Sequence, residues 1–302
     1  MKTKTSPFGT SKREGHDSSP YYKRNMSKNF LEIIRLRQDD APDTRRTREP
    51  ETFDWKDKVF LQSSEEMVEI PDGSIALAFT SPPYNVGKDY DEDLSVDEYI
   101  DLIYRVGAEV HRTLVEGGRY VINIANLGRK PYIPLHAIFY QVHIALGFIP
   151  SGEIIWRKGN GANGSCAWGS WQSAKNPCIR DLHEYLLVFN KDSIGRPDRG
   201  ESDISKDEFM KATLSVWDIP PEYAKRVGHP APFPVELCQR VIQLYSYRGD
   251  TVLDPFAGSG SCLVAAKQLN RHFVGYETVE GYYKIALKRL GRHSVCFCES
   301  EK

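Results

Sequence analysis

The sequence predicts an α/β fold, Rossmann-like, with helices on both faces of a mostly parallel sheet. Three observations carry that prediction. The run Ser74-Ile75-Ala76-Leu77-Ala78-Phe79 is short, apolar and uncharged, as a strand buried on both faces must be. Asp250 to Leu269 reads as strand, glycine turn and helix. The following strand, Arg271 to Glu277, ends in an acid about 20 residues after the glycines, where a ribose-binding carboxylate belongs.

The whole chain sets bounds. Its 302 residues and 40% hydrophobic content suffice for one large α/β domain, with length alone allowing two. With 40 Lys+Arg against 41 Asp+Glu there is no global signature of nucleic-acid binding, so any such partner must meet local patches. No apolar segment approaches roughly 18 residues, and the polar N-terminus lacks the apolar core of a signal peptide, so a cytoplasmic location is expected. The cysteines are scattered without C-x-x-C spacing and the histidines form no H-E-x-x-H set, so neither a metal site nor a disulfide framework is expected.

Residues 1–50 form a basic arm rich in Lys, Arg, Ser and Pro, with Tyr21 and Tyr22 among the cations. Basic groups interleaved with aromatics suit a phosphate backbone, and a solvated tail is the equal alternative. Residues 51–302 are expected to be the catalytic domain. In it Lys58 to Leu61 is a short strand, Ser63 caps a helix over Ser64 to Val68, and Pro71-Asp72-Gly73 turns into the Ser74 strand. Ser95 caps a helix with Asp97 and Glu98 in its first turn, ending near Leu114. Arg119 to Ala125 is a strand, Pro131 to Ala145 a helix and Gly152 to Trp156 a strand.

Loop insertions near 157–181 and 191–214 are candidate target-recognition elements. The first begins Arg157-Lys158, then runs through glycines to Trp168 and Trp171, and no regular element accommodates it. Two readings stand for it. Either it is a substrate-facing lid, with Arg157 and Lys158 on phosphates, or its tryptophans fold back onto the core. Glu184 to Phe189 is a strand, and Pro234 is placed to start a helix over Val235 to Tyr245.

Two turns carry the chemistry. Thr80-Ser81-Pro82-Pro83-Tyr84-Asn85 ends its strand abruptly, because neither proline can donate to a ladder. It sets a hydroxyl, carbonyl acceptors and an aromatic ring at the carboxyl end of a strand, where open α/β sheets bind ligands. Such a turn suits a flat ring with an exocyclic amine: Tyr84 on the ring face, Ser81 Oγ and the Pro82 carbonyl accepting from the amine. A plain strand-ending turn is the alternative. In the second turn, Asp254-Pro255-Phe256-Ala257-Gly258-Ser259-Gly260-Ser261, the glycines admit a ligand close to the backbone ahead of a helix N-terminus. It lacks the third glycine of a dinucleotide loop and any Walker lysine.

Together these segments resemble the amino-methyltransferases that act on DNA. Asp254 to Gly260 is similar to their S-adenosyl-L-methionine (AdoMet) motif and Thr80 to Tyr84 to their catalytic motif. His229-Pro230-Ala231-Pro232-Phe233-Pro234 resembles the segment that lines the cofactor's methionine end. The catalytic motif comes first and the AdoMet motif last, as in the circularly permuted beta group, and the similarity runs from about Lys58 to Leu290. Arg13 to Ser19 resembles an N-terminal stretch of some N4-cytosine members.

The resemblance implies an AdoMet-dependent methyltransferase fold with a seven-stranded sheet, in which the strands ending at Phe79 and Leu253 are neighbours. It implies catalytic roles for Ser81, Pro82, Pro83 and Tyr84. It implies a cofactor pocket of Asp254, Pro255, Phe256, Gly258, Ser259, Gly260, Glu277, His229, Pro232 and Phe233. DNA contacts are expected at Arg157, Lys158, Trp168 and Trp171. Ser-Pro-Pro-Tyr is typical of the N4-cytosine enzymes of restriction-modification systems, so the expected partners are double-stranded DNA and a separately encoded endonuclease. N6-adenine transfer, RNA or protein amine transfer, and a non-catalytic DNA-binding module are the rival readings.

Overall fold

The computed structural model describes residues 54–83, 95–127, 132–159, 169–179, 181–222 and 234–291. Tyr84, Trp168, His229, Pro232, Phe233 and the arm over residues 1–50 lie outside them.

The described residues build one sheet of eight strands: β1 (Lys58–Phe60), β2 (Ile75–Thr80), β3 (Leu114–Ile124), β4 (Ile149–Arg157), β5 (His183–Asn190), β6 (Val216–Asp218), β7 (Thr251–Asp254) and β8 (His272–Tyr276). Across the sheet the order is β1-β8-β7-β2-β3-β5-β4-β6. Only β5 runs against its neighbours; every other pairing is parallel. The seven expected strands become eight because Val216–Asp218 adds a parallel edge to β4, in register Trp156 to Trp217. Val216-Trp217-Asp218 follows a polar stretch and carries an acid, so it lacks the apolar run that marked the other short strand, Lys58 to Leu61.

The expected adjacency of the two motif strands holds. β2 and β7 pair in parallel at the centre of the sheet, Ala78 opposite Leu253. The chain enters at the β1 edge, crosses to β2, builds outward to β6 and returns to the centre at β7. Every residue of β2 and β7 is buried, which is why β2 reads as an apolar run and why the polar ends Thr80 and Asp254 need partners.

Helices cover both faces. On one side lie α1 (Val96–Thr113) and α2 (Leu135–Ala145), packing Tyr99, Ile103, Val106, Val110 and Phe139 against Ala78, Ile122 and Leu253. On the other lie α3 (Lys206–Ala212), α4 (Val235–Tyr245), α5 (Ser261–Gln268) and α6 (Glu280–Arg289), packing onto Leu77, Phe79 and Val121. Ser95 caps α1 as expected: its Oγ accepts from Glu98 N while its own N donates to Glu98 Oε2 at 2.8 Å. Val235–Tyr245 follows Pro234 as expected.

Three local expectations change. Residues 63–70 form turns, with no helix over Ser64 to Val68. Their backbone groups serve α1 instead. Met67 N donates to Glu109 Oε2 at 2.7 Å, and Arg112 donates to the carbonyls of Met67 and Ile70. Helix α2 begins at Leu135 rather than Pro131, because Ile133 forms a bridge with Leu127 first. The expected loop insertion near 191–214 contains α3, capped by Ser205 Oγ accepting from Glu208 N.

Candidate active site

Sheet topology brings the chemically distinctive residues to one edge. The carboxyl ends of β8, β7, β2, β3, β4 and β6 and the amino end of antiparallel β5 all emerge there. In order across the sheet, Glu277 follows β8, Asp254 ends β7 and Thr80 ends β2. Then come Asn123 near the end of β3, Glu184 in β5, and Arg157 with Lys158 at the end of β4.

On the β7–β8 side, the loop after Asp254 is held as a cradle. Gly258 and Gly260 take positive φ of 51° and 74°, which favours glycine. Gly260 has a second reason to be glycine, since an added Cβ would stand 3.0 Å from Ala286 Cβ on α6. Arg289, also on α6, reaches from Nη1 to Ser259 O at 2.7 Å and to the hydroxyls of Ser259 and Ser261 at 3.0 Å. Glu277 closes the cradle: Oε2 accepts from Gly258 N and Oε1 from Val279 N, both at 2.8 Å. Burial pushes the Glu277 carboxyl up from its ordinary value, and these backbone donors oppose the rise. Three backbone donors, Val279, Gly258 and Thr278, serve the carboxylate, and its remaining acceptor capacity suits a vicinal diol. The Glu277 carboxylate therefore fits the ribose of AdoMet.

At the centre, Thr80 Oγ1 donates to Asp254 Oδ1 at 2.6 Å, in a buried contact between the two motif strands. Phe256 N donates to the same oxygen at 3.2 Å. Burial raises the Asp254 carboxyl to about 7, against the lowering effect of these two donors, and the neighbouring Glu277 charge raises it further. Ser81 follows at the surface of the edge, half-buried, then buried Pro82 and half-buried Pro83. Tyr99 OH donates to the Pro83 carbonyl at 2.7 Å and so pins the turn to α1.

On the β3–β5–β4 side the structure shows residues that sequence reasoning passed over. Asn123 Nδ2 lies 2.6 Å from Glu184 Oε2 and 3.5 Å from Ser81 Oγ. Glu184, 7% exposed, is ion-paired with Lys158. A signal existed, because an Asn inside Arg119 to Ala125 and a Glu opening Glu184 to Phe189 are polar groups in buried strands, which need partners. Tyr99 and Arg289 gave no such signal on their helices.

Arg157 and Lys158 are not simply presented to solvent. Arg157 is held by Asp218 through two bonds, and Lys158 turns toward Glu184 and over the Trp156 ring, 5.0 Å from its centroid. Trp171 is 63% exposed, so it does not fold back onto the core. Among the described residues no group of His, Cys, Asp or Glu is placed to hold a metal ion, and no helix is long and apolar enough to cross a membrane.

The sheet order, the glycine cradle and the adjoining Pro-Pro turn define an α/β domain of the methyltransferase class. The family model N6_N4_Mtase, described as DNA methylase, matches residues 75–288, and the chain belongs to this family. It is 30% identical over 246 residues to the type II methyltransferase M.ScaI of Streptomyces caespitosus, covering 76% of this chain and 79% of that one. It is 31% identical over 265 residues to the DNA adenine methyltransferase YhdJ of Escherichia coli K12, covering 80% and 85%. Among solved structures, a Thermus thermophilus protein described as a DNA modification methylase, complexed with S-adenosyl-L-methionine, is 29% identical. It matches with a TM-score of 0.63 over 78% of this chain and 93% of that one.

Proposed function

We propose that this chain is a site-specific DNA methyltransferase that methylates the N4 amine of cytosine in double-stranded DNA, with AdoMet as donor, as part of a restriction-modification system. The observation that carries the reading is the Thr80–Asp254 bond, which ties the Ser-Pro-Pro turn directly to the glycine cradle. Glu277, Gly258 and Gly260 would hold the nucleoside, with Asp254, Pro255, Phe256 and Ser259 shaping the pocket. His229, Pro232 and Phe233 are assigned to the methionine end by resemblance.

Bound AdoMet supplies an electrophilic methyl group on a sulfonium. The acceptor amine lies inside the duplex, so the base must be flipped out, at a cost of about a few kcal/mol for unstacking and unpairing. Tyr84 is assigned to stack on the extruded ring. The exocyclic nitrogen is a poor nucleophile because its lone pair is delocalised into the ring. Ser81 Oγ and the Pro82 carbonyl, accepting from its two protons, favour a tetrahedral nitrogen and free that pair. With AdoMet held in the cradle, the methyl group would pass to the nitrogen with the carbon–sulfur electron pair retained by sulfur, and the surplus proton would leave the nitrogen for solvent. Positioning of the amine supplies much of the acceleration. The mechanism needs no covalent enzyme intermediate, so it assigns the cysteines no catalytic task; among the described ones Cys238 and Cys262 are buried and Cys178 is half-buried.

N6-adenine transfer is the second reading, favoured by the similarity to YhdJ. The Ser-Pro-Pro-Tyr motif favours cytosine. Mass spectrometry of nucleosides from DNA incubated with the protein and AdoMet decides between them. N4-methylcytosine supports the proposal; N6-methyladenine replaces the target base; no modified nucleoside overturns both.

A further inference from the structure

We infer that Lys158, Glu184 and Asn123 form a relay that fixes the orientation of the Ser81 hydroxyl, each acting as a positioning residue in the transfer reaction proposed above, on which this inference rests. Three adjacent strands bring the relay together. Asn123 lies near the carboxyl end of β3, Glu184 near the amino end of β5, and Lys158 just past β4. In register, Glu184 stands opposite Trp156.

The chemistry of each group dictates the direction of the relay. A carboxylate only accepts, so the Asn123 amide must turn its nitrogen to Glu184 Oε2, 2.6 Å away. That nitrogen carries two hydrogens, and the second faces Ser81 Oγ at 3.5 Å. With the amide flipped, its carbonyl would oppose the carboxylate and require Ser81 to donate. Glu184 therefore decides that Ser81 Oγ receives a hydrogen from Asn123, which sets the direction of the hydroxyl's own hydrogen and of its remaining lone pair. At 3.5 Å the contact to Ser81 is at the weak end of a hydrogen bond, so it biases the direction of the hydroxyl and adds little to stability.

A nearly buried carboxylate needs a counter-charge, and Lys158 supplies it. Lys158 is itself fixed, its backbone N donating to Leu182 O at 2.9 Å and its ammonium lying over the Trp156 ring. A purely structural ion pair would stabilise the β3–β5–β4 half of the sheet and leave the chemistry alone. The relay predicts the reverse emphasis.

The test measures single-turnover transfer from tritiated AdoMet to unmethylated genomic DNA, with AdoMet affinity by calorimetry. Asn123→Ala and Glu184→Gln are made alone and in a Ser81→Ala background. The relay predicts that each single variant slows transfer by about tenfold to a hundredfold, with AdoMet affinity within about threefold of wild type. In the Ser81→Ala background the same substitutions should change the residual rate by less than about twofold, because the group they position is gone. Should Glu184→Gln fail to fold, Lys158→Gln reads the same relay from its partly exposed end, and Lys158→Arg should recover part of the loss. Variants as fast as an active wild type, or losses undiminished in the Ser81→Ala background, overturn the relay alone. A wild type that methylates no DNA overturns the proposed function and the relay with it.

Discussion

Thr80 and Asp254, 174 positions apart in the chain, share a buried hydrogen bond of 2.6 Å where β2 and β7 leave the sheet. Thr80 directly precedes the Ser81 turn, and Asp254 opens the glycine cradle. One contact thus sets the distance between the residues assigned to the acceptor amine and those assigned to the methyl donor. Replacing Thr80 by Val keeps shape and removes the donor. A buried acceptor left short of a partner costs about 1–3 kcal/mol. Urea denaturation should register a loss of that size for Thr80→Val, and AdoMet affinity should weaken with it. A variant as stable as wild type would show that the bond contributes nothing net.

Asp254 also makes stability depend on pH. Its carboxyl is raised to about 7 in the folded protein, chiefly by burial, from an ordinary value of 3.8. The folded state therefore binds the proton more readily than the unfolded chain does. Its contribution is most favourable below about pH 4, declines as pH rises toward 7, and is flat above that. A tenfold difference in proton affinity between the two states is worth about 1.4 kcal/mol, so the full decline is at most about 4 kcal/mol. Asp254→Asn should remove this slope, so the stability difference between wild type and variant should move in the variant's favour between pH 5 and pH 8. Parallel curves across that range would disprove the assignment.

Gly260 is constrained twice, by its φ of 74° and by the 3.0 Å approach to Ala286. The left-handed conformation costs a side-chain-bearing residue about 1–2 kcal/mol. Gly260→Ala should therefore destabilise the protein by at least that amount and weaken AdoMet binding. Adding Ala286→Gly should relieve the crowding and restore only part of the loss, because the backbone strain persists. Complete restoration would show that crowding alone excludes a side chain.

Arg289 holds the same loop from the other side, through Ser259 and Ser261. Arg289→Met keeps the aliphatic stem and removes the donors. The expected result is an AdoMet dissociation constant raised by about tenfold, equivalent to roughly 1.4 kcal/mol, with a smaller effect on the rate at saturating AdoMet. A reduced saturated rate with unchanged affinity would move Arg289 out of the cradle.

These contacts also show how far the sequence could be read. Strands β2 and β7, the glycine turn and the acid after β8 were legible because each signal is local: apolar run, forced backbone, fixed spacing. Helix α1 was legible through Ser95 and Glu98, three residues apart. The turn at residues 63–70 misled because Ser63 is a plausible cap, while the partners that claim its neighbours' backbone groups lie 42 and 45 positions away, at Glu109 and Arg112. Asn123 and Glu184 are 61 positions apart, so their residue types were visible but their pairing was not. Arg157 and Lys158 looked like free cations because Asp218 and Glu184 are brought to them only by the strand order β5-β4-β6.

Ser81 offers the most direct test of the proposed chemistry. It follows Thr80 at the end of β2, half-buried, between the cradle and the Asn123 amide. If its oxygen accepts from the amine in the transition state, the bond matters to the rate and hardly at all to cofactor binding. Ser81→Ala should leave AdoMet affinity within about threefold of wild type and reduce transfer by about a hundredfold or more, in line with the loss of a key positioning contact. Because the cradle residues stand on β7, α6 and the end of β8, nothing in that substitution disturbs them. Equal losses in affinity and rate would mean that Ser81 supports the cofactor pocket. Full activity would remove it from the mechanism and leave the Pro82 carbonyl as the group to examine.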